Sequence, residues 1–155
     1  MKQNVNDFIS GIRNLKNVIG SFLFIEDFAQ ENNCSENDLN DLDRSHHCLQ
    51  AAHNELIKTI NKFFIYKPES ELDKKITSSS QISTNINSAI SLINNIKQPV
   101  IPAKDELLEI LNSCSVTFLE SNLFDVFLAL HQDRSTFREQ ILFLGDICEE
   151  ELLSY

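Results

Sequence analysis

Glycine and proline are scarce in this chain, with three of each in 155 residues, and tryptophan is absent. Sandwiches and barrels turn often, and tight turns draw on Gly and Pro. Their scarcity argues against such folds and for a few long elements with few connections, which means helices. Long apolar runs are missing too. The longest, "FLFI" at 22–25 and "VFLAL" at 126–130, fall far short of the roughly 20 residues that span a bilayer. The opening residues "MKQNVNDF" lack the shape of a signal peptide.

Positive charge is thin. Thirteen Lys and Arg stand against 23 Asp and Glu, for a formal net charge of −10, and the longest basic run is Lys74–Lys75. Gripping a phosphate backbone requires a basic stripe that releases counterions. Direct nucleic-acid binding and docking on an anionic membrane are therefore not expected. The four cysteines (Cys34, Cys48, Cys114, Cys148) form no CxxC pair. With no secretion signal, they read as reduced thiols of a cytoplasmic protein. There is no glycine-rich phosphate loop, no GxGxxG and no GxSxG elbow. No pattern calls for a cofactor, and enzymatic activity is not expected.

What is present is periodicity. Apolar residues make up 42 % of the chain and charged residues 23 %, ordinary usage for one domain spanning 1–155 with a proper core. In the first segment Val5, Phe8, Ile12, Leu15, Ile19 and Phe22 follow one another in steps of 3 and 4, the seam of a packed helix over about 4–31. "ENNCSEND" breaks it, and Ser35 with Asp38 three residues on fits a helix start. A second helix over about 36–65 has the seam Leu39, Leu42, His46, Leu49, His53, Leu56, Ile60 and Phe63. A third runs to about 97, with a weak "TSSS" stretch that favours a start near Ser80. "QPVIP" at 98–102 is the strongest break. A fourth helix from about Ala103 towards His131 bends at Ser121–Asn122, and a fifth starts near Ser135. Short connections favour antiparallel neighbours. The expected fold is all-α: an up-down antiparallel bundle of four or five long helices.

Two histidines thus occupy seam positions that would ordinarily be apolar. Counting back through the turns places His46 near Gly20 and Ser21, and His53 near Asn14 and Ser83. Such neighbours suit polar layers that satisfy imidazoles and fix helix register. Two functional readings compete with that structural role. The first is metal binding: Asp43 and His46 are three apart, the carboxylate–histidine spacing of a dimetal bundle. Such a centre needs a second pair and further inward acids, and no ExxH occurs. His46 and His53 lie about 10 Å apart along the axis and cannot share one ion. The second is phosphotransfer. Histidine-phosphotransfer domains are helical bundles with an exposed histidine in an HxLKG-like context. Here His47 is followed by Leu49, Gln50 and Ala51, so the lysine and glycine of that pattern are missing. Neighbouring residues on a helix point about 100° apart, so His47 and Cys48 are no dyad.

Eleven phenylalanines form an uneven aromatic set, and the stretch 123–130 is apolar almost all round. Such a helix is either central or pressed against a partner. Phe124 and Phe127 share one face, which Leu123 and Leu130 widen. These four residues are the expected partner-binding patch. The function that fits best is a non-catalytic protein-interaction module of adaptor, chaperone or inhibitor type. Its partner is another protein or a second copy of the chain. The alternative is a bundle with a functional histidine.

Overall fold

The computed structural model describes residues 2–65, 80–96, 101–120, 123–133, 135–140 and 142–143, with side chains from Val5 onward except at 60–65, 80, 120, 123, 124, 127 and 131. Among the described residues, five helices of ten residues or more are found: α1 (Lys2–Glu31), α2 (Glu36–Ile65), α3 (Ser80–Asn94), α4 (Lys104–Glu120) and α5 (Leu123–Gln132). No strand occurs among the described residues, most of which are helical. The stretch 66–79, with the first half of the expected third helix, lies outside them. Where one bent helix was expected over 103–131, two are found, α4 and α5, on either side of Ser121–Asn122. Beyond α5, residues 138–140 and 142–143 are helical, and the rest of the expected last helix lies outside the described residues.

Local chemistry sets the ends. The Ser35 hydroxyl accepts the backbone N–H of Asp38 at 3.1 Å and so caps α2. Glu36 and Asp38 lie in that first turn, where the helix dipole favours acids. Helix α1 closes on Asn33, whose φ of 54° is left-handed. The Cys34 N–H reaches back to the Ala29 carbonyl at 3.2 Å, and the Asn33 N–H to Gln30 at 3.3 Å. That nested pair is a Schellman closure, with asparagine where glycine is commonest. At the end of α3, the Lys104 ammonium donates to the carbonyls of Asn94 and Ile96.

The helices form a ring. Helix α1 packs on α2, α2 on α3, α3 on α4, and α4 back on α1, while α5 lies against α1. Phe22 against His46 makes α1 and α2 antiparallel. Gly11 against Phe118 at one end, and Phe28 beside 101–106 at the other, do the same for α1 and α4. Ser83 against Ser115, with Lys104 against Asn94, fixes α3 and α4. The bundle is therefore up-down-up-down. The seam of α1 is buried at Val5, Phe8, Ile12, Leu15 and Phe22 and half-buried at Ile19; that of α2 is buried at Leu42, Leu49, His53 and Leu56. A buried hydroxyl cluster crosses α3 and α4: Ser83 and Ser115 share a hydrogen bond of 2.9 Å, and Ser115 donates to Asn87 at 2.6 Å.

The two glycines of α1 differ in what surrounds them. A β-carbon at Gly20 would meet nothing within 4 Å. Glycine in a helix interior costs about 1 kcal/mol relative to alanine. Gly20→Ala is therefore expected to stabilise the protein by about 1 kcal/mol in urea unfolding. A loss of stability would mean that something packs on this turn.

Candidate functional site

His53 is buried, His46 half-buried, and the His47 side chain 70 % exposed. The seam position of His53 is thus buried and that of His46 only partly so, while His47, beside the seam, is exposed. The neighbours of His46 differ from those expected. The His46 ring stacks on Phe22, with centroids 5.0 Å apart and planes 14° from parallel. Its Nδ1 lies 3.4 Å from the Glu26 carboxylate. Ser21 spends its hydroxyl on the Val18 carbonyl of its own helix, and Ser83 joins the Ser115 cluster. The turn between α1 and α2 centres about one residue later than the sequence suggested, which moves His46 up α1 onto Phe22. His47 Nε2 lies 3.7 Å from Asp43, one turn earlier on α2. Among the described residues, no three His, Cys, Asp or Glu side chains come together as a metal site.

Cys34, Cys48 and Cys114 are free thiols. Cys114 is 1 % exposed, and its thiol donates to the Gly11 carbonyl at 3.7 Å. Burial pushes this thiol up to about 11 from 9.0, so it stays protonated and unreactive.

The patch expected on 123–130 lies on α5. Leu130 is 5 % exposed and belongs to the core together with Val126 and Ala129. The side chains of Leu123, Phe124 and Phe127 lie outside the described residues.

Among the described residues, large exposed apolar groups lie on α1, on α4 and beyond α5. Phe24 is 79 % and Leu23 67 % exposed on α1, with Val116 and Leu119 on α4 and Leu142 beyond α5 also open to water. A signal for the α1 pair existed in the sequence. In "FLFI" only two of four consecutive residues can face the core stripe of a helix. The seam takes Phe22 and Ile25 inside, so Leu23 and Phe24 must point out. They sit at the strongly acidic end of the bundle. From residue 17 to residue 43 there is no basic residue and there are seven acids. The facing start of α4 adds Asp105, Glu106 and Glu109, all exposed. Arg44 is within 3.9 Å of Asp41, and the Lys104 ammonium is taken up by the α3 carbonyls.

No protein-family model matches the chain, and neither a curated protein nor a solved structure is similar to it. Any functional reading therefore rests on the surface just described. Among the described residues no helix is long and apolar enough to cross a membrane.

Proposed function

We propose that this chain is a non-catalytic protein-interaction module of adaptor, chaperone or inhibitor type, working through exposed apolar side chains set in an acidic surface. One observation carries the reading: Phe24, 79 % exposed on the outer side of a helix whose seam faces the core. Leaving a large aromatic ring in water forgoes about 1.5–3 kcal/mol of burial. Single exposed apolar residues are common, but six large ones among the described residues, two of them adjacent on α1, suit a binding surface. Free thiols at Cys34, Cys48 and Cys114 fit a reducing compartment such as the cytoplasm. Another protein is the partner we favour, and a second copy of the chain is the competing one.

The test is affinity capture from native lysate with the wild-type chain and with serine at Leu23, Phe24, Val116, Leu119 or Leu142 in turn. At least one folded variant is expected to lose a protein that the wild type retains. Identical captures by all five would reject the reading.

A second reading draws on His47, the exposed ring beside Asp43: a phospho-acceptor histidine. It requires acid-labile phosphate that disappears in His47→Ala. Metal content of the purified protein tests the remaining histidine chemistry.

A further inference from the structure

Helices α1 and α4 are antiparallel neighbours, and at the acidic end an open hollow of ≈ 450 Å³ lies between them, lined by Phe28, Ile101, Pro102, Ala103, Lys104, Asp105 and Glu106. Phe24 stands four residues before Phe28 and so shares its side of α1. Ile110, 40 % exposed, stands four residues after Glu106 on the same side of α4. Phe24, Phe28 and Ile110 thus extend the hollow into an apolar trough. Exposed acids flank it on both sides: Asp27 and Glu31 on α1, Asp105, Glu106 and Glu109 on α4.

Those charges decide what can lie there. A second copy would bring the same acidic end against its own image, and like charges brought together cost several kcal/mol. Nucleic acid and anionic lipid are repelled for the same reason. The apolar floor, in turn, gives nothing to a small cation. What satisfies both features is a segment with apolar anchors on one face and Lys or Arg on the other. An amphipathic helix laid in a groove, read as i, i+3, i+4, i+7 anchors, is the recurring form of such recognition.

We propose that the α1–α4 trough docks a basic amphipathic segment of a partner protein. Its apolar residues rest on Phe24, Phe28 and Ile110, and its cations lie over Asp27, Glu31, Asp105, Glu106 and Glu109. This rests on the interaction-module reading and names its partner class. The acids steer the encounter and set the salt dependence, while the aromatic rings hold the complex.

The test uses the full chain and a synthetic peptide of about 18 residues, about 27 Å as a helix, with Leu at helical i, i+3, i+4, i+7 spacing and Lys elsewhere. A scrambled peptide of the same composition is the control. Amide shifts in NMR are expected to move along 20–31 and 103–113 and to stay still elsewhere. Affinity should fall at least tenfold in Phe24→Ala, and again in the pair Asp105→Lys, Glu106→Lys. It should also fall as salt rises from about 50 to about 500 mM, where screening shortens to a few Å. Thr84→Ala, exposed on α3 and away from the trough, should bind as wild type does. Equal binding of the scrambled peptide would overturn the proposal, as would shifts centred away from the trough. So would concentration-dependent dimerisation abolished by Phe24→Ala, which would make a second copy the occupant. If serine at Val116, Leu119 or Leu142 removes a captured protein while the trough stays silent, the docking site falls and the module reading stands. If no serine variant loses a protein, the module reading falls.

Discussion

Phe118→Ala is expected to lower stability by about 3–5 kcal/mol, the usual cost of emptying a buried aromatic site. Phe118 is fully buried. Its ring meets Phe8 edge-on, with centroids 6.1 Å apart and planes at 78°. It also covers Gly11, where a β-carbon would come within 3.2 Å of the ring. One side chain therefore seals the contact between α1 and α4. Small domains hold only about 5–15 kcal/mol in all, so the variant should melt far below the wild type. Phe24→Ala, also a loss of one ring on a helix, should stay within about 0.5 kcal/mol because its ring is already in water. The mechanism can be checked by a cycle. In the wild type, Gly11→Ala gains helix propensity but presses on the Phe118 ring. In a Phe118→Leu background that pressure is relieved, so Gly11→Ala should be more favourable there. Additive effects would show that the two residues do not share the contact.

The second large effect is set by pH. The Cys114 thiol titrates near 11 in the folded chain and near 9.0 when exposed. Below pH 9 both states carry the proton, and this group's contribution is fully present. Between pH 9 and 11 the unfolded chain releases the proton while the folded chain keeps it, so stability falls with rising pH. Each pH unit of that gap is worth about 1.4 kcal/mol, so the full loss is about 2–3 kcal/mol. Urea midpoints from pH 8 to 11 on wild type and Cys114→Ala isolate the term, because other titrating groups cancel in the difference. The wild type should decline more steeply, and parallel curves would refute it. In the same pH range, alkylation of the native protein should modify Cys34 and Cys48, both half-buried, well before Cys114.

Much of the fold was legible because burial follows a strict period. The steps from Val5 to Phe22 fixed which face of α1 turns inward, and those of α2 put His53 inside and His47 outside. Ser35 marked its helix start by a chemistry that needs no tertiary context. Which ring meets which neighbour was less legible. A shift of about one residue in the turn centre exchanges Gly20 for Phe22 opposite His46, and nothing in a helical period sets that centre. The break at Ser121–Asn122 was visible, but not that two separate helices lie either side of it. The surface was hardest to read. Apolar density points to 123–130; of the four patch residues only the Leu130 side chain is described, and it faces inward, where α5 packs on α1. Phe24 went unremarked because periodicity identifies inward residues and passes over those left outside.

The closed ring of helices also bears on how the chain is made. Helix α1 finds α2 across a short loop, soon after both emerge. Its other flank, with Phe8 and Gly11, is covered by α4, which begins at Lys104. On a ribosome adding about 5–20 residues per second, that flank waits several seconds, apolar and open, for the helix that covers it. Contacts so distant along the chain close late and slow the final step of folding. Nascent chains halted before α4 should therefore be the species that chaperones hold, and release of α4 should be the moment at which they let go.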